Sequence, residues 1–356
     1  MKVLLDLDVS GKRVFLRADL DVPLESTKDE RLTTNVEIAT RLTNLKPAVD
    51  YFLKHGASQI IIAGHIGRPK GSDPVLSTKQ ILPILEKILG QKIVFSSQFT
   101  VHSSQSKNSV NHEPTTDNRI VLLENLRFWP GEIANDQNFA QKLANLADIY
   151  VNEAFGNSHR AHASMVSLPK LLPHAAGFHL TWEIEELTKI LKNPIRPFVA
   201  IVGGAKIETK IPVIGNLAKI ADTVLVGGQV AKQLTTDKLQ LTTEKKSNVI
   251  VATLSDGGKD VDKKSIEQFK RVILRVRTIV WNGPMGLFEE GFDKGTLQLA
   301  QAICRTNAFK VVGGGETTQF LAQNNLLSKF SFVSSGGGAM LEFLAGKELP
   351  AIKALE

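Results

Sequence analysis

Single arginines recur where short apolar runs give way to polar loops. Arg17 closes RVFLR, Arg68 lies in GHIGRPKG, Arg127 in LENLRFWPGE and Arg160 in NSHRAHAS, while Arg41 opens an apolar-periodic segment. His65, His159 and His162 accompany them, and Asp19 and Asp21 follow Arg17 at alternate positions. One such arginine is an ordinary surface charge. A set of them suits a small, multiply charged anion, because the guanidinium fork matches carboxylate and phosphate oxygens two at a time. His159 and His162, three apart, would suit a metal only with a third ligand, and the sequence offers none at a recognisable spacing.

The second half carries a complementary chemistry. Five strand-like runs each end in a glycine-containing turn: FVAIVGGAK (198–206), TVLVGGQ (223–229), TIVWNGPMG (278–286), KVVGGGETT (310–318) and SFVSSGGGAM (331–340). Most lead straight into a helical pattern. Glycines there let backbone N–H groups approach phosphate, and helix N-termini add positive potential. Lys206 and Lys210 lie beside the first loop. Neither GxxxxGK[ST] nor GxGxxG occurs, which disfavours a Walker A loop and an ordinary dinucleotide fold. An arginine-rich anion site with a glycine-rich phosphate site suits phosphoryl transfer from a nucleotide to a small anionic acceptor. No Ser-His-Asp or Cys-His arrangement calls for a covalent intermediate.

These residues need elements to hold them. GKRVFLRADLDVP (11–23) alternates with period two, placing Val14, Leu16, Ala18 and Leu20 on one face and Phe15, Arg17, Asp19 and Asp21 on the other. The polar face reads either as a solvated sheet face with a local ion pair or as a polar cleft in which Arg17 holds the two carboxylates in place. A helix is predicted from Arg41 to His55, stopped by Gly56. QIIIAG, KIVFSS, RIVLLEN and DIYVNEAFG read as strands. LSTKQILPILEKIL, capped by Ser77 or Thr78 and ended by Gly90, and NDQNFAQKLANLAD read as helices. Residues 96–118 read as a surface loop. HLTWEIEELTKILKNP (179–194) is a long helical pattern ended by Asn193-Pro194. Strands alternating with helices imply an α/β chain with parallel, helix-covered sheets.

Composition narrows the class. The chain has 356 residues, 42% hydrophobic and 22% charged, which favours two domains over one. A net charge of +7 is compatible with nucleic acid or small anions, but aromatic content is only 6% and long Lys/Arg runs are lacking. No nucleic-acid partner is expected. Cys304 is the single cysteine, so neither an intrachain disulfide nor a cysteine zinc cluster can form. MKVLLDLDVS lacks a signal-peptide core, and the apolar runs are too short to span a bilayer. A cytoplasmic protein without a membrane partner is expected.

Eight segments, in order, carry a resemblance: GKRVFLRADLDVP, GHIGRPKG, LENLRFWPGE, VNEAFGNSHRAHAS, VGGAKIETKI, IVWNGPMGLFE, VVGGGETT and FVSSGGGAMLEFLAGKELP. Through them the chain resembles the phosphoglycerate kinase family over essentially its whole length. The resemblance implies two Rossmann-like domains with parallel β-sheets covered by helices. It implies a phosphoglycerate-binding domain over 1–176, an interdomain helix over 177–194 and a nucleotide-binding domain over 195–344. The tail 345–356 would pack back on the first domain. It implies ATP + 3-phosphoglycerate ⇌ ADP + 1,3-bisphosphoglycerate, with Mg²⁺, domain closure and a monomeric chain. By position, Asp19, Asp21, His65, Arg68, Arg127, His159 and Arg160 match phosphoglycerate contacts. Arg41 matches the arginine that neutralises the transferring phosphoryl group. Gly204, Ala205, Lys206 and Lys210 match the first nucleotide-phosphate loop, with Lys206 following the phosphoryl group. Gly228, Asn282 and Glu289 match nucleotide contacts, Glu316 and Thr317 the Mg-nucleotide loop, with Glu316 meeting Mg²⁺ directly or through water. Gly336, Gly337 and Gly338 match amides near the reacting phosphate.

The chain also departs from the family pattern. Asp21 stands in place of Asn, Glu316 in place of Asp, Gln229 in place of a glycine and Asp262 in place of a glycine near the adenine site. Trp129 replaces His or Tyr, residues 24–40 form a longer loop, and residues 233–262 are shorter than usual. An altered nucleotide preference is one expected consequence. A non-catalytic descendant that binds anions or nucleotide is the alternative, disfavoured because Arg41 and Lys206 are both kept.

Overall fold

The structure, a computed structural model, describes residues 1–22, 24, 41–98, 119–205, 207–236 and 248–356. They pack into two compact units. One comprises Met1–Glu183 with Leu349–Glu356, the other Ile184–Glu348.

The first unit is built on a six-stranded sheet. Its strands are β1 (Arg13–Arg17), β2 (Gln59–Ala63), β3 (Val94–Ser96), β4 (Ile120–Leu123), β5 (Ile149–Asn152) and β6 (His174–Ala176). Their order is β3-β4-β2-β1-β5-β6, every neighbour parallel. Both faces of such a sheet are covered, which explains why β1 is buried on both sides despite its alternation. Val14 and Leu16 enter the main core with Ile60, Ile62 and Leu122. Phe15, on the face with Arg17, stacks on Tyr150 at 6.0 Å.

Local chemistry accounts for the flanking helices. Ser77 caps a short 3-10 turn, Thr78–Ile81, by accepting from the Lys79 N–H, and helix Leu82–Leu89 follows, ending at Gly90 with φ +66°. Asp136 caps helix Gln137–Ala144 by accepting from the Phe139 N–H. The segment predicted as one helix from Arg41 is interrupted. Residues 41–43 are helical, Asn44 and Leu45 form a turn, and helix Lys46–Lys54 restarts with Pro47 in its first turn. Proline lacks the N–H that would continue the ladder, so a helix starts there more easily than it passes through. Most of the loop predicted over 96–118 lies outside the described residues.

The second unit repeats the architecture. Strands β7 (Phe198–Val202), β8 (Thr223–Val226) and β9 (Val249–Val251) are followed by a small antiparallel pair, β10 (Leu254–Ser255) and β11 (Asp260–Val261). Strands β12 (Thr278–Asn282), β13 (Phe309–Gly313) and β14 (Phe332–Ser334) complete the main sheet, ordered β14-β13-β12-β7-β8-β9, all parallel. The sequence reading found five of these six strands and missed β9. β9 is three residues long, only partly buried, and has no glycine turn after it. The long helix Phe178–Lys192 contains the division between the units at Glu183 and Ile184. The C-terminal residues close on the first unit, where Ala351 packs with Ala154 and Met165 and donates its N–H to the Ser158 carbonyl at 3.1 Å.

Candidate active site

In each sheet the strand order reverses at one point, between β1 and β5 in the first and between β7 and β12 in the second. Ligands of open parallel sheets bind beyond the carboxyl ends of the strands at such points. The chemically distinctive residues are found at those two places.

In the first unit the loops after β1, β2, β4 and β5 converge. Asp19, 4% exposed, accepts from Arg41 Nη1 at 3.3 Å and from Asn157 Nδ2 at 3.3 Å. Asp21 Oδ1 accepts from the Gly67 N–H at 2.8 Å, and the Asp21 carbonyl accepts from Arg41 Nη1 at 3.0 Å. Asn125 Nδ2 donates to the Ile66 carbonyl at 2.8 Å and Arg127 Nη1 to the Gly67 carbonyl at 2.5 Å, which ties the β2 and β4 loops together. Arg41, not Arg17, therefore holds the Asp19 carboxylate and the Asp21 backbone, while the Gly67 N–H holds the Asp21 carboxylate. Arg17 is fully buried beneath them and donates to Ser164 Oγ at 2.8 Å, to the Ala18 carbonyl, and to His65 Nδ1 at 3.1 Å. The Ser164 hydroxyl in turn donates to Oε1 of the fully buried Glu132 at 2.6 Å, so the charge of Arg17 is answered from below, through a hydroxyl. Sequence reasoning missed Glu132, Ser164 and Asn157; their only signal was their presence inside the quoted motifs.

What remains is a crowd of positive groups. Burial and then the neighbouring Arg160 charge push the Arg127 guanidinium down to about 10. Burial, then Arg68, pushes Arg160 down. Burial, then Arg17 and Arg127, holds His65 well below the usual imidazole value, and burial followed by the Arg127 charge takes His162 to about 3. His159 adds to the positive field on His162. Among the described residues, the buried Arg127 Nε, Arg160 Nε and His65 Nε2 have no hydrogen-bond partner. Buried donors in native proteins are almost always satisfied. Several such donors stand together here among mutually repelling guanidinium groups, an arrangement whose chemistry suits an anion.

The second unit gathers glycine loops. The Gly203 N–H donates to the Asn282 carbonyl at 2.9 Å and the Gly204 N–H to the Pro284 carbonyl at 2.7 Å, joining the loops after β7 and β12. Gly283 has φ +92° and donates to Thr317 Oγ1 at 2.8 Å; a Cβ there would lie 2.2 Å from the Gly203 oxygen. Asn282, 4% exposed, donates to the Gly313 carbonyl at 2.8 Å and reaches the Gly337 carbonyl at 3.4 Å. A Cβ on Gly337 would stand 2.4 Å from the Gly314 Cα, and one on Gly228 would stand 2.6 Å from the Gly204 nitrogen. Lys210, buried, donates to the Gly203 carbonyl, and its Nζ lies 2.7 Å from where a Gly204 Cβ would be, with Glu316 Oε2 at 3.6 Å from the same point.

Helices Ile207–Ile220, Gly228–Thr236, Gly315–Gln323 and Gly337–Leu344 begin at these loops, so their N-terminal ends, positive ends of the helix dipoles, share the carboxyl end of the sheet. Ala205 and Gly338 lie exposed at that end. Glu289 stands exposed on the turn Phe288–Glu290, and no described hydrogen bond or ion pair ties it to the glycine loops. Lys206 lies outside the described residues. Two of the departing residues have local partners: Asp262 caps helix Lys263–Ile273 by accepting from the Ser265 N–H at 2.7 Å, and Gln229 Nε2 donates to the Gly258 carbonyl at 2.7 Å. Among the described residues no three His, Cys, Asp or Glu side chains come together as a metal cage, and no helix is long and apolar enough to cross a membrane.

Comparison with known proteins agrees with this geometry. The family model described as phosphoglycerate kinase matches residues 4–246 and 234–347. The chain belongs to the phosphoglycerate kinase family. Being a phosphoglycerate kinase family member, it is an enzyme and a kinase. The phosphoglycerate kinase of Finegoldia magna is 39% identical over 401 aligned positions, covering 100% of this chain and 99% of that protein. The phosphoglycerate kinase of Pseudothermotoga lettingae is 38% identical, covering 98% and 97%. Among solved structures, that of the Pyrococcus horikoshii phosphoglycerate kinase superposes with a TM-score of 0.82 at 28% identity, covering 100% of this chain and 98% of that one. The Coxiella burnetii phosphoglycerate kinase gives a TM-score of 0.77 at 31% identity, covering 99% and 98%. The Finegoldia alignment is longer than this chain's 356 residues, so stretches of that relative are missing here. The two family-model matches meet at 234–246, inside the region that reads as short.

Proposed function

We propose that the arginine cluster of the first unit binds 3-phosphoglycerate and that the glycine loops of the second bind the phosphates of ATP or ADP. The chain then transfers a phosphoryl group reversibly between ATP and the carboxylate of 3-phosphoglycerate, giving ADP and 1,3-bisphosphoglycerate, the glycolytic reaction. The observation that carries this reading is the set of unpartnered buried donors on Arg127, Arg160 and His65. A ligand with a phosphate and a carboxylate supplies acceptors for all of them.

The chemistry asks little of a general base, since the attacking carboxylate is already ionised at neutral pH. Attack in line on the γ-phosphate needs positioning and charge neutralisation, with no covalent enzyme intermediate. Asp19 accepts from the substrate hydroxyl, and Arg41, beside it, neutralises the phosphoryl group in transit. Lys210, the Gly204 loop, Asn282 and Thr317 hold the nucleotide phosphates, Gly228 and Glu289 complete the nucleotide contacts, and Lys206 follows the transferred group. The amides of Gly337 and Gly338 face the reacting phosphate. An exposed single carboxylate, Glu316, fits a Mg²⁺ ion that arrives with the nucleotide and keeps most of its waters. Bound there, Mg²⁺ would supply positive charge against the phosphate oxygens. Transfer brings the two substrate sites together by domain closure, which excludes water from the acyl phosphate. The enzyme works as a cytoplasmic monomer.

Calorimetric titration of the whole chain with 3-phosphoglycerate tests the substrate assignment. Binding to the wild type that weakens at least tenfold in Arg127→Ala is expected. Equal affinity in both proteins would remove the arginine cluster from the site.

A further inference from the structure

The first turn of the long helix Phe178–Lys192 contains a buried charged group that the proposed reaction does not use. His179 is 8% exposed, and its Nε2 lies 3.1 Å from Oε1 of Glu183, one turn further on and fully buried. The same nitrogen lies 3.1 Å from the side-chain amide of Asn44. Asn44 belongs to the turn that follows the helical residues 41–43, three positions after Arg41. Arg41 in turn bridges Asp19 and the Asp21 carbonyl. A short chain of contacts thus runs from the helix to the arginine: Glu183, His179, Asn44, then the backbone to Arg41.

One ring nitrogen cannot serve both partners in any arrangement. It carries either a proton or a lone pair. With a proton on Nε2 the ring donates to Glu183, and Asn44 must turn its amide oxygen toward the ring to share that proton. With a lone pair on Nε2 the ring accepts from the Asn44 amide nitrogen, and the lone pair then faces the Glu183 carboxylate, which drives the two apart. The charged ring always carries a proton on Nε2 and so always makes the clamp; the neutral ring either keeps Nε2–H as a weaker, uncharged donor or places its one proton on Nδ1 and loses the clamp.

The surrounding charges favour the clamped form. Glu183 faces the ring from the same helix, Glu153 from the loop after β5 and Asp19 from the loop after β1. Burial pulls the imidazole down, but the Glu183 hydrogen bond and these carboxylates outweigh it and hold His179 above its ordinary value. Glu153 also fixes the helix start, accepting from the His179 N–H at 2.8 Å and the Leu180 N–H at 3.1 Å. Trp182 packs against the ring with centroids 5.9 Å apart.

We infer that His179 is a positioning residue: protonated, it clamps Asn44 to Glu183 in the first turn of the helix and so fixes the segment that presents Arg41. The inference rests on the proposed role of Arg41. It predicts a rate that is lost on the alkaline side as His179 gives up its proton, through misplacement of Arg41 and not through weaker substrate binding.

The test is steady-state turnover of the full chain with Mg-ATP and 3-phosphoglycerate between about pH 6 and pH 9.5, for the wild type, His179→Gln, Glu183→Gln and Arg41→Ala. In His179→Gln, kcat should fall about five- to tenfold, KM for 3-phosphoglycerate should stay within about twofold, and the alkaline limb seen in the wild type should vanish. Glu183→Gln should move that limb to lower pH. An unchanged alkaline limb in His179→Gln overturns the inference. Arg41→Ala separates the two claims. If it abolishes turnover while His179→Gln keeps the wild-type profile, the kinase reading stands and this inference fails; if it turns over normally, the Arg41 role fails and the inference with it. Should the His179 variant not fold, NMR of the wild type decides. The Asn44 side-chain amide must titrate together with the His179 ring, and an amide indifferent to that titration contradicts the clamp.

Discussion

Arg17 Nη2 lies 3.1 Å from His65 Nδ1, with both side chains fully buried. A guanidinium nitrogen can only donate, so Nδ1 must accept and the ring proton of the neutral imidazole sits on Nε2. That N–H has no hydrogen-bond partner among the described residues, and its nearest acid is Asp21 Oδ2 at 3.7 Å. A residue that reads in sequence as one more basic group is thus a neutral donor of fixed tautomer. The buried arginine beneath it does the fixing.

Under the proposed function, His65 contributes a directed hydrogen bond to the anion and no charge. His65→Leu should raise KM for 3-phosphoglycerate about tenfold, the loss expected for one bond to a charged ligand. His65→Gln, which can place an amide N–H near Nε2, should recover part of it. Steady-state kinetics at fixed Mg-ATP measures both, and equal KM in His65→Leu and wild type would contradict the assignment.

Under the proposed function, Asp21 opposes the anion bound beside it. Its Oδ1 serves the Gly67 N–H at 2.8 Å, a bond that an Asn oxygen can accept equally. Its negative charge acts on Arg127 and Arg160. Asp21→Asn should lower KM for 3-phosphoglycerate about two- to fivefold, a modest change because Asp21 is partly exposed and screened. The gain should shrink as salt is added. A raised KM in this variant would mean that the carboxylate itself contacts the substrate.

The glycine loops of the second unit tolerate no side chain at their crossing. Gly283→Ala forces φ +92° on a residue with a Cβ and drives that carbon to 2.2 Å from the Gly203 oxygen and 2.6 Å from Lys210 Nζ. We expect a stability loss of about 2 kcal/mol or more. Thermal unfolding with and without Mg-ADP should show a lower midpoint and a smaller nucleotide-induced rise. A wild-type nucleotide shift would place the phosphates away from this crossing.

Glu153 gives the fold its own pH dependence. Burial raises its carboxyl to about 7, against the pull of the His179 charge and of the Phe178, His179 and Leu180 N–H groups. The folded chain therefore keeps a proton that the unfolded chain releases near its ordinary value of about 4.5. The associated stability is complete below about pH 4.5 and is lost as pH rises to about 7, on the order of 3 kcal/mol in all. Glu153→Gln resembles the protonated form at every pH. Its unfolding midpoint minus that of the wild type should rise across this interval and level off above about pH 7; a flat difference between pH 5 and pH 8.5 would show that Glu153 titrates normally.

How much of this was legible in the sequence depended on how local the cause was. The strands that end in glycine turns carry their signal within ten residues, and the α/β order follows from it. β9 did not, being three residues without a turn marker. The arginine set was visible because its members stand where apolar runs meet polar loops, with Arg41 at the start of a helical segment. Its internal wiring was not. Arg17 was expected to hold Asp19 and Asp21, yet its partner Ser164 lies 147 residues away and answers to Glu132, and neither could be ranked above other polar residues by spacing. Glu153 and His179 were missed for the same reason: a buried charge looks like any other until the elements that enclose it are in place. The i, i+4 spacing of His179 and Glu183 was available, but on a helix with so many charged positions it singled out nothing.

The central claim is that the arginine cluster binds 3-phosphoglycerate and the glycine loops bind the nucleotide phosphates of one phosphoryl-transfer enzyme. Steady-state phosphorylation of 3-phosphoglycerate by Mg-ATP, with Mg-GTP in parallel and Arg41→Ala as control, tests it most directly. The account predicts substantial turnover by the wild type that collapses in Arg41→Ala, with the ATP to GTP ratio reporting on the nucleotide loops that carry Gln229 and Glu316. No turnover with either nucleotide, from wild-type protein shown to be folded, would contradict it.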